Sequence, residues 1–185
     1  MYGWRPYSLL MSQTKKITLS AMMVALGTAV MLLGAVIEML DLSVCALASL
    51  FVVFIYLEIG SYYPWLVWIC TSLATALIFP GSAIWVEYLF VFGLYPLIKA
   101  YIERLPKWSW LIIKLLYINA VILGMFFVTE ILLGIPFFED DSRVLIIITY
   151  VLANVAFLFY DIFIVVMVRF YFEKLRPRFK NFLKK

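Results

Sequence analysis

The chain has 185 residues, of which 66% are hydrophobic, 14% are charged and none is histidine. Soluble domains are about half apolar and about a quarter charged, so this composition excludes an ordinary soluble domain and indicates a chain that lies mostly in lipid. The lack of histidine excludes imidazole metal ligands, Ser-His-Asp and Cys-His catalytic systems, and histidine-based pH switches.

Apolar stretches about as long as a bilayer is thick predict six transmembrane helices. After an N-terminal segment, residues 1–16, these helices are predicted at 17–39, 43–60, 64–80, 83–101, 108–133 and 143–169. Pro64 suits the first turn of the third helix, whereas Gly93 and Pro96 are kink positions in the fourth. The sequence therefore predicts one all-α integral membrane domain over 17–170, a bundle of six helices, followed by a basic tail, residues 171–185.

The distribution of basic residues predicts the orientation of this bundle. Six spans place both termini on one side of the membrane, and Lys and Arg favour the cytoplasmic side. With both termini cytoplasmic, all but one of the 15 basic residues lie on that side, the exception being Arg143. We therefore expect a multi-pass protein of the cell membrane whose partner is the lipid bilayer. The net charge of +4 follows from this bias, so no nucleic-acid partner is expected.

Two cysteines, Cys45 and Cys70, lie inside apolar runs without a CxxC spacing. This pattern is typical of small buried hydrophobic residues. Neither a disulfide nor a metal site is predicted.

Acidic and amide side chains within the spans indicate a binding site, because lipid makes an unpartnered polar group costly. In the predicted orientation Glu38, Glu87 and Glu130 all lie toward the outer ends of their helices. Helical spacing puts Asn119 on the same face as Glu130. The candidate substrate-binding residues are Glu38, Trp85, Glu87, Tyr88, Asn119, Glu130, Tyr150 and Asn154.

Three of these residues fit a structural role as well as a binding role. Interhelical hydrogen bonding accounts for Asn119 and Asn154 as well as ligand contact does. Glu38 fits a position among lipid headgroups equally well.

Small residues recur at every fourth position of the first helix, at Ala21, Ala25 and Ala29. Such a pattern lets another helix approach closely. Packing within the bundle is the more ordinary role for such residues, and docking of another protein is the alternative.

The six-helix organisation, the basic pair Lys15-Lys16 and the Ala-xxx-Ala first helix resemble the substrate-binding S component of energy-coupling factor (ECF) vitamin transporters. The resemblance covers Lys15 to about Arg176. It implies that Ala21, Ala25 and Ala29 dock on a transmembrane T component, and that separate ATP-binding-cassette ATPases supply the energy. It also implies a small nutrient bound in the outward half of the bundle, and a bacterial plasma membrane.

Together these features predict a non-enzymatic, membrane-embedded subunit for uptake of a vitamin or its precursor. Acids and aromatic rings suit a cationic or amine-bearing ring, and no cofactor is expected. The chain has no GxxxxGK[ST] loop, so a partner must hydrolyse ATP. The alternative is a non-transport scaffold or assembly partner that packs through the alanines of the first helix. An intramembrane enzyme with paired carboxylates has the least support, because the chain lacks HExxH and GxSxG motifs.

Overall fold

The computed structural model describes residues 12–37, 40–128, 130 and 143–176, and every regular element in these ranges is helical. Five helices are long and apolar enough to cross a membrane: Gln13–Val36, Asp41–Glu58, Ile84–Ile102, Trp108–Met125 and Ile146–Leu175. A sixth apolar helix, Tyr63–Ile78, is shorter. This architecture agrees with a helical, multi-pass membrane protein.

The helices follow one another through short connections over most of the chain. In chain order they are α1 (Gln13–Val36), α2 (Asp41–Glu58), α3 (Tyr63–Ile78), α4 (Ile84–Glu87), α5 (Tyr95–Ile102), α6 (Lys107–Phe127) and α7 (Arg143–Phe170). A π-helical turn, Tyr88–Phe92, joins α4 to α5, and a second, Tyr171–Leu175, extends α7. The span predicted over 83–101 is therefore interrupted close to its predicted kink positions.

The ends of the first and third helices follow from local residues. α1 begins at Gln13, earlier than predicted, because the Ser12 side chain accepts a hydrogen bond from the Lys15 backbone N–H at 3.4 Å and caps the helix. α3 carries Pro64 in its first turn, as predicted. Its 16 residues extend only about 24 Å, less than the usual thickness of the hydrocarbon layer.

The chain divides into two compact units, Met1–Glu139 and Asp140–Lys185. The first unit contains α1 to α6, and the second contains α7. The candidate residues therefore belong to different units: Tyr150 and Asn154 lie in the second, and the others lie in the first.

Within the first unit, α1, α2 and α3 pack on one another, and α4 contacts all three. The buried face of α1 carries Gly27, Met31 and Gly34. A Cβ atom at Gly34 would lie 2.7 Å from Ile84 Cδ1 and 2.9 Å from Val44 Cγ1. Glycine is needed here because α1 approaches α2 and α4 too closely for a side chain.

The π-helical turn Tyr88–Phe92 is held by side chains of two neighbouring helices. Trp68 Nε1 of α3 donates to the Leu89 carbonyl at 3.0 Å, and the Tyr117 hydroxyl of α6 donates to the Phe90 carbonyl. π-helical turns in proteins often occur at functional sites. These two bonds fix the residues that directly follow Glu87.

Candidate functional site

Two carboxylates, Asp41 and Glu87, lie at the same end of the first unit. Asp41 is the first residue of α2, and Glu87 is the last residue of α4. The short connections from α1 to α2 and from α3 to α4 bring these helix termini to the same end. The two carboxylates are close enough to interact electrostatically. We call this region, defined by Asp41 and Glu87, the acidic end.

The environment of Glu87 is unusual for a structural acid. Its Oε2 atom is buried, and among the residues that the structure describes it accepts no hydrogen bond. A buried carboxylate oxygen without a donor is costly, and the nearby charge of Asp41 adds repulsion. A positively charged group between the two acids would relieve both costs, so this arrangement is suited to binding a cation.

A thiol and a thioether lie beneath the acidic end. Cys45, one turn into α2, is fully buried, with its Sγ 3.9 Å from Met31 Sδ and 3.7 Å from the Ile84 carbonyl oxygen. It lies within electrostatic range of both acids. In the described part of the chain, no three Cys, Asp or Glu side chains are arranged to hold a metal ion.

The cysteine prediction holds for only one of the two residues. Cys45 is buried, as predicted, whereas Cys70 is exposed on α3. The prediction for Cys70 is therefore wrong. An apolar run does not show which face of a lipid-facing helix is packed, because all of its faces are apolar.

Tyr88 and Trp85 flank Glu87 but have different surroundings. Tyr88 is fully buried and lies near Thr71 and Cys45. Trp85 is half-buried, and its Nε1 donates to the Pro80 carbonyl at 3.4 Å, within the connection from α3 to α4. Tyr88 is thus an interior residue of the first unit, and Trp85 contacts the turn at the acidic end.

Asn119 and Glu130 follow on the α6 side of the first unit. Asn119 is half-buried and its Nδ2 donates to the Leu115 carbonyl of its own helix at 2.7 Å. Glu130 is exposed. Glu38 lies outside the described residues.

The two candidates of the second unit lie one turn apart on α7. Tyr150 is exposed, and Asn154 Nδ2 donates to the Tyr150 carbonyl at 3.0 Å. Like the amide of Asn119, this amide therefore bonds within its own helix.

The alanines of the first helix lie on its unpacked face. Ala21, Ala25 and Ala29 are all exposed, opposite the face that carries Gly27 and Met31. Packing within the first unit therefore does not account for these small residues.

The opposite end of the first unit also contains buried charge. Glu58 at the end of α2, Lys99 of α5 and Lys114 of α6 are between 5% and 8% exposed. Lys99 Nζ lies 3.5 Å from Glu103 and 5.8 Å from the Tyr95 ring centroid. All three buried charges have interaction partners. We call this region, defined by Glu58, Lys99 and Lys114, the mixed-charge end.

Sequence reasoning missed Asp41 and Thr71 as neighbours of the candidate site. Asp41 falls in the predicted connection before the second helix, and Thr71 is an ordinary residue within an apolar span. An acid at a helix N-terminus was a usable signal for Asp41, because the helix dipole stabilises it there. Nothing in the sequence distinguishes Thr71 from Thr75.

No known protein-family model matches the chain, and no match is found among curated proteins or solved structures.

Proposed function

We propose that this protein is a membrane-embedded binding subunit for uptake of a small cationic or amine-bearing nutrient, energised by a separate ATP-hydrolysing module. The observation that carries the proposal is the acidic end, where Asp41 and the partly buried Glu87 lie together and Glu87 Oε2 accepts no hydrogen bond from any described residue. A buried acid whose oxygen accepts no hydrogen bond in an apolar unit is costly for the fold, which favours a role in binding.

The physical reason for a cation is charge balance. Asp41 lies in the first turn of α2, where the helix dipole favours a negative charge. Two carboxylates in electrostatic range repel each other, and a bound ammonium or cationic ring turns this repulsion into attraction. The buried Tyr88, Cys45 and Met31 make the surroundings of the acidic end apolar and aromatic, and such surroundings suit an organic cation better than a hydrated metal ion.

We propose that the acidic end faces outward. At the other end of the first unit lie Lys15 and Lys16 at the start of α1, Lys99 and Arg104 near the end of α5, and Lys114 of α6. This is the distribution expected if the mixed-charge end is cytoplasmic. The acidic end would then receive nutrient from outside the cell.

The exposed face of α1 provides a docking surface for the energising partner. Ala21, Ala25 and Ala29 are all exposed and one turn apart, so a transmembrane helix of a T component could approach the α1 backbone closely. ATP-binding-cassette ATPases would then drive transport through that partner.

Equilibrium binding to the purified protein in lipid nanodiscs tests the cation site. The first probes are thiamine, a ring cation, and tetramethylammonium. We expect both to bind the wild type, and Glu87→Gln and Asp41→Asn to weaken both by at least about tenfold, the size of one interaction with a charged group. Glu103→Gln is the matched control, since Glu103 is an acid of the mixed-charge end and is 40% exposed. Unchanged affinity in Glu87→Gln would overturn the assignment.

A second candidate function is a scaffold or assembly partner that does not transport. The exposed alanine face favours it, because this face needs a partner helix and not a ligand. Ala25→Trp should abolish association under either function, so copurification is the better test. Recovery of an ATP-binding-cassette module with the wild type supports transport, and recovery of an unrelated membrane protein supports the scaffold.

A further inference from the structure

Positive charge is concentrated at the C-terminal end of the chain. Residues 169–185 contain seven of the 15 basic residues and only one of the 11 acids, Glu173. The rest of the chain contains more acids than basic residues, so the net charge of +4 comes from this end alone. A basic cluster of this size directly after a membrane span is typical of segments that bind anionic lipid headgroups.

The length of α7 brings this end to the membrane surface. With its π-helical extension, the apolar helix Ile146–Leu175 has 30 residues. Such a helix extends about 45 Å, whereas the hydrocarbon layer is about 30 Å thick. The exposed side chains of Ile162, Val165 and Val166 suit contact with acyl chains. Because the helix is longer than the hydrocarbon layer, the turn that follows them lies among the headgroups.

Two cations of this turn are not used within the described fold. Arg169 and Lys174 are exposed, and neither forms a salt bridge with an acid that the structure describes. Glu173 is exposed as well, and it directly precedes Lys174, where neighbours on a helix do not face each other. The buried Lys99 of the first unit differs, since its Nζ lies 3.5 Å from Glu103. The charges of Arg169 and Lys174 are therefore available to an anionic partner.

Aromatic rings accompany the cations at the end of α7. Lys174 Nζ lies 5.6 Å from the Phe170 ring centroid, and Arg176 Cζ lies 5.1 Å from the Phe172 ring centroid. In each pair the cation follows the ring by four residues, one turn along the helix. Phe170 is 44% exposed, so this ring lies on the helix surface together with the Lys174 amine. An apolar ring next to a cation matches the boundary between acyl chains and headgroups.

We propose that the end of α7 is a binding surface for anionic phospholipid. Arg169, Lys174 and Arg176 contact the headgroup phosphate, and the rings of Phe170 and Phe172 hold two of these cations in position. Charge-assisted hydrogen bonds from ammonium and guanidinium groups suit a phosphate well. The exposed ring favours a lipid over an acidic protein surface, because a lipid offers acyl chains beside its charge. The surface belongs to the second unit and is independent of the proposed cation site.

Native mass spectrometry of the full chain released from lipid nanodiscs tests this surface. The nanodiscs contain an equal mixture of phosphatidylglycerol, which is anionic, and phosphatidylcholine, which is zwitterionic, with the same acyl chains. The readout is the ratio of the two lipids that stay bound to the protein. We expect the wild type to prefer phosphatidylglycerol by at least about tenfold, because each basic residue near the surface contributes about fivefold.

Three variants separate the charge from the ring. Lys174→Gln should lower the preference about fivefold. Phe170→Leu keeps every charge and should lower it about twofold to fivefold, the size of an exposed cation–π interaction. Phe159→Leu is the matched control and should change nothing. Phe159 lies on the same helix and is 68% exposed, but no cation among the described residues lies over its ring.

Three results would overturn the surface. Equal retention of both lipids by the wild type would leave an acidic protein as the partner of these charges. A wild-type preference in Lys174→Gln would place the anionic lipid elsewhere on the chain. Equal losses in Phe170→Leu and Phe159→Leu would show that the ring acts only through its bulk. All three substituted side chains are exposed, so the unfolding temperature in phosphatidylcholine alone should stay unchanged, which separates lost binding from lost folding.

Discussion

The two ends of the first unit both contain buried or partly buried charge, but they handle it differently. At the mixed-charge end, Glu58, Lys99 and Lys114 are each buried, and all three have interaction partners. At the acidic end, Glu87 lies near another acid, and its Oε2 has no hydrogen-bond partner in the described part of the chain. The buried charges of the mixed-charge end have partners within the fold, whereas under the proposed function a ligand supplies the partner of Glu87.

The largest expected effect is the loss of a balanced charge. Glu58→Gln should lower the free energy of unfolding by about 3 kcal/mol, because Glu58 is 5% exposed and the groups that interact with it would lose its charge. Denaturant unfolding in detergent micelles measures this change. Thiamine affinity of the folded fraction should stay at the wild-type value, and a loss of affinity without a loss of stability would contradict the distinction between the two ends.

The corresponding substitution at the acidic end should have the reverse effects, with weaker ligand binding and no loss of stability. Glu87→Gln should weaken cation binding by about 1.5–3 kcal/mol, as expected for one interaction with a charged group. The free energy of unfolding should not fall, because Glu87 Oε2 has no hydrogen-bond partner in the described residues to lose. Measuring unfolding and binding for Glu58→Gln and Glu87→Gln in one detergent directly tests the difference between the two ends.

A smaller effect is expected at Gly93, where the backbone lies close to the Tyr88 ring. A Cβ at Gly93 would lie 2.5 Å from Trp68 Cδ1 and 2.9 Å from Tyr88 Cε1. Gly93→Ala should therefore cost about 1–2 kcal/mol of stability through overpacking and should also weaken ligand binding.

Gly124→Ala is the control for this substitution, because Gly124 lies within α6 and a Cβ there would meet nothing within 4 Å. This variant should be stabilised by about 0.5–1 kcal/mol, the gain typical of alanine over glycine in a helix. Equal effects of the two substitutions on thermal unfolding would show that Gly93 is not under packing constraint.

The smallest effect concerns a neutral hydrogen bond between α1 and α3. The Tyr63 hydroxyl donates to Gln13 Oε1 at 2.7 Å. Tyr63→Phe should lower the free energy of unfolding by about 1 kcal/mol, the usual value for such a bond, and leave cation binding intact. Loss of binding in this variant would mean that the two ends of the unit are coupled and not separate.

Much of the helical organisation was predictable because apolar length is a strong signal in lipid. The spans containing Glu87 and Asn119 lie close to their predicted positions, and Gly93 and Pro96 predicted the interruption of the fourth span. The division into two units was not predicted, since hydropathy reports only the affinity of each segment for lipid. It contains no information on which helices pack together.

The candidate site was only partly predictable, again because hydropathy does not show which helices pack together. Glu87 was a candidate because acidic groups are rare in such a chain, and Tyr88 was a candidate because aromatic rings suit a cation. Asp41 and Thr71 were not, because their importance depends on neighbours that are about 46 and 17 residues away in the chain.

The sequence by itself determined a helical chain with the composition of a membrane protein, and basic residues biased toward one side of its predicted spans. Periodicity and hydropathy are local properties, and they are sufficient for these features. Only the tertiary structure decided that Glu87 lies beside Asp41, that Thr71 and Tyr88 lie together, and that the alanines of α1 are on its exposed face. Each of these depends on how helices approach one another, which is set by close contacts such as those at Gly27 and Gly34.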